Sequence, residues 1–199
     1  MKVLVIGGTG TIGEGIVNEL KGDHEVLVAS ENRSKLKVDI TSEDSIRALY
    51  RSIGKIDAVV CAAGKVQFME FEKFTAQDYH VGLMSKLMGQ VNLVRIGLDY
   101  VNDKGSFTLT SGVLNRDPIK FGSSASMVNG AIDSFVMAAA IEMPREVRIN
   151  VVSPTVVKES MDIYGDYFKG FKPVPLADVV LAYRKSVDGL LTGQVLMVL

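Results

Sequence analysis

Seven residues near the N-terminus, Gly7-Gly8-Thr9-Gly10-Thr11-Ile12-Gly13, are the first in the chain whose types and spacing could do chemistry. They follow the apolar run Val3-Leu4-Val5-Ile6 and lead into Ile12, Ile16, Val17 and Leu20, which recur at helical spacing. The free N–H groups and the dipole at a helix start favour an anion, and a backbone that meets a phosphate closely cannot carry side chains there. Gly7 permits the tight turn, Gly10 lets the phosphate approach, and Gly13 lets helix pack on strand. Thr9, Thr11 and Ile12 belong to the same cradle. A glycine-rich turn is weak evidence alone; its place between the first buried strand and a helix makes it a dinucleotide signal.

In such a fold the end of the second strand selects the nucleotide. A carboxylate about 20 residues on binds the ribose hydroxyls of NAD, whereas the extra phosphate of NADP needs cations and no facing acid. The second strand runs His24-Glu25-Val26-Leu27-Val28-Ala29-Ser30, followed by Glu31, Asn32 and Arg33. Ser30 with Asn32 and Arg33 favours NADP, because a guanidinium suits a phosphate. Glu31 keeps NAD open, since a register one residue different would put its carboxylate at the ribose.

These residues need elements to position them. Buried-strand runs recur at Val26–Ala29, Leu36–Asp39, Ile56–Ala63, Ser106–Thr110, Val147–Val152 (stopped by Pro154) and Gln194–Val198. Between them lie helical patterns. Thr41 or Ser42 can cap a helix with Ile46, Leu49 and Ile53 on its inner face, ended by Gly54. Longer helical stretches run from about Thr75 to Val101, from Ser124 to Met143 and from Leu176 to Leu190. Residues 155–175 are irregular and aromatic. Alternating strands and helices with apolar strands predict an α/β fold: one Rossmann-like, doubly wound parallel sheet, a single domain over residues 1–199.

Composition narrows the function classes. Of 199 residues, 47% are hydrophobic and 23% charged, with net charge −1, which excludes bulk disorder and argues against a broad basic nucleic-acid surface. One cysteine, Cys61, excludes an internal disulfide framework, and two histidines make a His-based metal site unexpected. No run reaches the roughly 18 apolar residues of a membrane span, so neither membrane nor metal is expected. Cytoplasmic location is the default.

Taken together, these residues resemble the short-chain dehydrogenase/reductase family along almost the whole chain. The glycine loop is similar to its cofactor loop. Val38-Asp39-Ile40-Thr41 resembles the segment flanking the adenine, and Cys61-Ala62-Ala63-Gly64 the motif after the fourth strand. Leu109-Thr110-Ser111-Gly112 lies where the family carries its catalytic serine. Ile149 to Val157, with Pro154 and Val156, resembles the segment facing the nicotinamide, and Thr192 to Val198 the final strand. The resemblance implies that Asp39, Ile40, Ala62, Ala63, Gly64, Pro154 and Val156 join the cofactor site.

The family's reactive pair, a tyrosine with a lysine one helical turn later, does not appear. Aligned on Ser123-Ser124-Ala125-Ser126-Met127, the motif puts Ser123 at the tyrosine and Met127 at the lysine. A positioned general acid contributes roughly 10²- to 10⁴-fold, so the family's mechanism does not carry over unchanged. The resemblance puts Lys86 where the family has a supporting asparagine, which would return a positive charge to the site. Tyr164 or Tyr167, in the aromatic segment expected to cover the substrate, could supply a phenolic proton, and Ser111 a hydrogen bond to the substrate oxygen.

The expectation is an atypical NADP(H)-dependent oxidoreductase moving hydride to or from a small carbonyl or alcohol substrate. The alternative is a dinucleotide-binding regulatory or scaffold protein that has lost catalysis. A nucleotide-retaining isomerase ranks last, for want of a larger substrate domain. The apolar helices Thr75–Val101 and Ser124–Met143 suggest a homodimer or homotetramer, as the family implies.

Overall fold

A computed structural model describes residues 1–199. The apolar runs become strands β1 (Lys2–Ile6), β2 (Glu25–Ser30), β3 (Leu36–Lys37), β4 (Ile56–Cys61), β5 (Val101–Thr110), β6 (Arg148–Pro154) and β7 (Val195–Val198). The connections carry α1 (Thr11–Leu20), α2 (Glu43–Ile53), α3 (Ala76–Gly82), α4 (Gly89–Gly97), α5 (Ser123–Glu142), α6 (Met161–Tyr164) and α7 (Leu176–Asp188). Every pairing is parallel and the order is β3-β2-β1-β4-β5-β6-β7. This is the Rossmann-like single domain that the alternation predicts. The winding reverses between β1 and β4, where an open parallel sheet leaves a crevice beyond its carboxyl ends.

Both faces of the sheet are covered, which is why its strands read as continuous apolar runs. Leu4 and Ile6 of β1 enter a layer with Ile46 and Tyr50 of α2, Leu93 and Ile96 of α4, and Ile132 and Val136 of α5. Val3 and Val5 enter the opposite layer with Ile16 and Leu20 of α1 and Val179, Tyr183 and Val187 of α7. Ser42 caps α2, its hydroxyl accepting from the Ser45 N–H at 3.2 Å, and Gly54 ends it at φ +68°.

Three expectations need correction. The helix expected over Thr75–Val101 ends at Gly97, and β5 begins at Val101, ahead of Ser106. The early part of β5 was hidden because Asn102-Asp103-Lys104 is polar and the register with β4 shifts between Ile56↔Val101 and Ala58↔Ser106. β6 does not stop at Val152 ahead of Pro154 but runs from Arg148 through Pro154, its last residue. β5 stops pairing at Thr110↔Val152, so beyond that point β6 pairs only with β7, where Pro154 stands opposite Val198. Finally, α5 is long and apolar enough to span a membrane by length and composition, with a mean hydropathy of 1.3 in its most apolar stretch. Here its Val128, Ile132 and Val136 are buried within the domain.

The segment expected to cover the site is pinned at its neck. Val157 bridges Val174, and Lys158 N–H donates to the Val174 carbonyl at 2.8 Å. Between those points it carries one short turn and α6.

Candidate functional site

The glycine cradle is built by exclusion. Gly7 has φ +79°, and a Cβ there would lie 2.6 Å from the Ala62 carbonyl oxygen. A Cβ on Gly13 would lie 2.7 Å from the Gly7 carbonyl carbon and the Gly8 Cα, so Gly13 is a packing residue, and it lines neither of the site's two cavities. Gly10 differs: its imagined Cβ meets only the Gly7 oxygen at 3.6 Å, an ordinary contact. Nothing in the fold requires glycine at position 10; a group approaching from outside would. Gly10 also caps α1 without a side-chain bond, leaving first-turn N–H groups free of intrahelical acceptors. The cradle fits a pyrophosphate.

From it a cleft of about 710 Å³ extends over the ends of β1, β2 and β4. Gly7, Thr9, Gly10, Ser30, Asn32, Arg33, Asp39, Ile40, Ala62, Ala63 and Gly64 all line it. The buried Ser30 hydroxyl accepts from Arg33 N–H at 2.9 Å and bonds Ser34 Oγ at 2.9 Å, folding the loop so that Arg33 borders the cleft. Asp39 accepts from Thr41 N–H and Oγ1, which holds its carboxyl below the usual range. Lys65 enters from the loop after β4 and pairs with Glu31 at 2.7 Å, and the pairing raises its own ammonium's pKa. Thr11, with Glu14, Asn18 and Glu159, lines an adjoining hollow outside α1 that shares Thr9, Gly10 and Arg33 with the cleft.

A second cavity, about 260 Å³, adjoins the first where Gly64 meets Lys86. A Cβ on Gly64 would sit 2.8 Å from the Lys86 Cα, so the glycine lets the lysine's helix close against the loop. Lys86, Ser111, Tyr164, Ile12, Pro154 and Val156 all line this cavity, bringing the expected catalytic set together beside the expected nicotinamide-facing residues. Most of the remaining wall is apolar, including Val66, Phe68, Val113, Leu114 and Phe168. Two buried polar atoms on it have no partner in the protein: Ser111 Oγ and Asn129 Oδ1. Burial draws the Lys86 ammonium down to about 8.

Lys86 and Ser111 are held as one unit. Lys86 lies in a π-helical stretch, Leu83–Met88, between α3 and α4. Buried Gln90 donates from Nε2 to the Lys86 carbonyl at 2.8 Å and to the Thr110 carbonyl at 2.9 Å, and accepts from Thr110 N–H at 2.8 Å. Its amide therefore ties the helix turn bearing Lys86 to the strand end bearing Ser111. Such π-helical turns are frequent at functional sites. Below the loop after Ser111, Arg116 bridges Asp133 of α5 at 2.8 Å and Ser153 of β6 at 2.6 Å.

The α5 register differs from the aligned motif. Ser123 points to Tyr79, hydroxyl to hydroxyl at 2.9 Å, and Met127 is 42% exposed and outside the cavity. The α5 residues that line the cavity are Ala125 and, one turn on, Asn129. Tyr167 packs edge-on against Phe121, outside the cavity. Sequence reasoning missed Lys65, Gln90 and Asn129. Only Asn129 left a signal, as the amide in the otherwise apolar stripe Ala125, Val128, Ile132, Val136.

Comparison with known proteins matches residues 13–178 to the family described as enoyl-(acyl carrier protein) reductase. The chain is similar to the short-chain dehydrogenase/reductase ATR9 of Stachybotrys chlorohalonatus, 25% identical over 76% of this chain and 72% of that one. It is also similar to a tropinone reductase homolog of Datura stramonium, 26% identical over 79% and 68%. Among solved structures it resembles protein lin1944 of Listeria innocua, with 47% identity, TM-score 0.99 and full coverage of both chains. A small-chain dehydrogenase in complex with NADPH is 25% identical, with TM-score 0.88 over 100% of this chain and 96% of that one.

Proposed function

The chain belongs to the short-chain dehydrogenase/reductase family, and from that premise we propose that it is an NADP(H)-dependent oxidoreductase acting on a small carbonyl or alcohol. The observation that carries this reading is the junction at Gly64 and Lys86. There a cleft with a phosphate cradle opens beside an apolar cavity holding Ser111 Oγ and Asn129 Oδ1 without partners. Buried polar groups without partners are costly, so a ligand supplying those partners accounts for them.

Gly7, Gly10 and the start of α1 would hold the pyrophosphate, and Asp39 and Ile40 the adenine end. Pro154, Val156 and Ile12 would border the nicotinamide. When bound, the dinucleotide supplies or accepts the hydride. The Ser111 hydroxyl donates to the substrate oxygen, and the Lys86 ammonium offsets negative charge developing there. Tyr164 and Phe168 close the outer side and exclude water. The preference for NADP rests on Arg33 and Lys65 at the cleft rim, with the Glu31 carboxylate already engaged by Lys65. The NADPH complex of a relative agrees with it.

Fluorescence titration with NADPH and NADH tests the reading. Micromolar NADPH binding, much tighter than NADH, is the expected result; binding of neither would remove the oxidoreductase reading. One observation favours a second reading, a dinucleotide-dependent regulatory module: Ala125 and Asn129 line the cavity wall, and neither is a phenol or an amine. That reading requires the redox state of the nucleotide to alter association with a partner, and no turnover on any carbonyl. Self-association through the exposed methionines Met88, Met127 and Met137 belongs to the proposal and is checked by sedimentation equilibrium.

A further inference from the structure

The reaction proposed above needs a proton at the substrate oxygen, and the usual phenol is missing from α5. Tyr164 is 44% exposed at the outer wall, and Tyr167 is turned away. Among the cavity's other side chains, Ser111 and Asn129 hold no proton acidic enough to transfer near neutral pH. Lys86 is the remaining acid. Its side chain forms part of the cavity wall, and its backbone is fixed to the Ser111 strand end through Gln90. Its ammonium makes no salt bridge.

We propose that Lys86 is the proton donor and acceptor of this reaction, exchanging a proton between Nζ and a substrate oxygen held by Ser111 Oγ and the Asn129 amide. In reduction, the hydride forms a C–H bond at the carbonyl carbon while the C=O π pair moves onto oxygen. One N–H bond of Lys86 breaks, its proton passes to that oxygen to give the alcohol, and the neutral amine is reprotonated from water. Oxidation reverses each transfer: the amine takes the hydroxyl proton as hydride leaves carbon.

The surroundings suit the task. A lysine in water holds its proton too tightly near pH 7, whereas a catalytic acid works best with a pKa near the operating pH. Burial supplies the change, leaving the Lys86 ammonium at about 8. The ionisable side chains facing it are few. Cys61 of β4 is a fully buried thiol pushed up to about 11, hence neutral, and Tyr164 lines the cavity from α6. Lys65 is engaged with Glu31 in the adjoining cleft, and α5 and β6 add no charge to the wall. No carboxylate faces Lys86 to restore its pKa.

The test uses the full chain and the Lys86→Arg, Lys86→Met and Tyr164→Phe variants. In protein labelled with carbon-13 lysine, the Lys86 Cε signal, assigned by its loss in Lys86→Arg, should titrate near pH 8. A midpoint above about 10, the ordinary lysine range, overturns the proposal. With NADPH and 4-nitrobenzaldehyde, the wild-type reduction rate should fall as pH rises through about 8. Lys86→Met should lose roughly 10²- to 10⁴-fold. Lys86→Arg, which keeps the charge but cannot titrate, should lose the alkaline limb, and Tyr164→Phe should retain it. A limb that survives in Lys86→Arg, or vanishes in Tyr164→Phe, assigns the proton to another group. The role rests on the oxidoreductase reading, and the two fail differently. A wild type that binds neither dinucleotide removes the reaction and the role together, whereas an ordinary Lys86 midpoint in an active enzyme removes the role alone.

Discussion

Gly10 and Gly13 stand three residues apart in one loop, yet the structure gives them different reasons to lack a side chain, and alanine separates those reasons. At Gly10 the backbone is extended, φ −95° and ψ 170°, and the nearest atom to an added Cβ is 3.6 Å away. Losing glycine as a helix cap costs about 0.5–1 kcal/mol. The stiffer unfolded chain returns about 0.4–1 kcal/mol. Gly10→Ala should therefore fold within about 1 kcal/mol of wild type, a Tm change under about 4 °C for a chain this long. At Gly13 the added carbon would sit 2.7 Å from two backbone atoms of the cradle. Overpacking of that kind costs about 1–3 kcal/mol or more, so Gly13→Ala should lose at least several degrees. NADPH affinity should show the complementary pattern. If a phosphate lies against Gly10, its methyl takes that space and Kd rises at least tenfold, about 1.4 kcal/mol, in a protein of normal stability. Thermal unfolding and fluorescence titration on the same preparations decide the matter. A Gly10→Ala protein with wild-type Tm and wild-type NADPH affinity would refute the reasoning, because no phosphate could then approach that backbone.

Other consequences are simpler to state. Lys65→Ala should weaken NADPH several-fold more than NADH, and Glu31→Gln should tighten NADPH by releasing Lys65; equal effects on the two nucleotides in a titration would contradict the assignment. Raising ionic strength should weaken NADPH more than NADH, because the ion pair and Arg33 lie on the exposed rim, where charges are screened. Gln90→Leu should cut turnover at least about tenfold, since small misplacements of reacting groups are expensive, while NADPH affinity, read by the same titration, changes little. Lys86→Met should raise stability to urea at pH 7. The folded pKa of about 8 lies below the ordinary 10.5, so the unfolded chain binds the extra proton and wild-type stability climbs between those values. The variant's advantage, about 3 kcal/mol at most, should shrink over that window; a pH-independent difference would mean that Lys86 is not buried as a charge.

How much of this was legible in the sequence depends on what each signal reports. Hydrophobic periodicity reports burial, so the parallel sheet, its seven strands and the placing of helices on both faces could be read from Val3–Ile6, Val26–Ala29 and their successors. The glycine loop was legible because its chemistry is local: strand, turn and helix start are consecutive residues. The facing of α5 was not. Ser123 and Ala125 differ by two residues, about 200° around a helix, and in a stretch of small side chains either register yields the same helix. Only the third dimension distinguishes them, by setting Ala125 and Asn129 across from Ser111 while Ser123 meets Tyr79. Lys65 and Gln90 were hidden for a related reason. A lysine after a strand and a glutamine in a helix are ordinary until the fold brings one within 2.7 Å of Glu31 and clamps the other between Lys86 and Thr110. The two kinds of residue also differ in cost. Gln90 is buried with each bond matched, so the fold alone accounts for it. Asn129 Oδ1 and Ser111 Oγ are buried without partners, and Lys86 is held with its ammonium destabilised. A site shaped only for stability would have filled those positions with apolar side chains; that two unsatisfied polar groups and a lysine with a lowered pKa share one cavity, next to a phosphate cradle, is what a reaction there explains and packing does not.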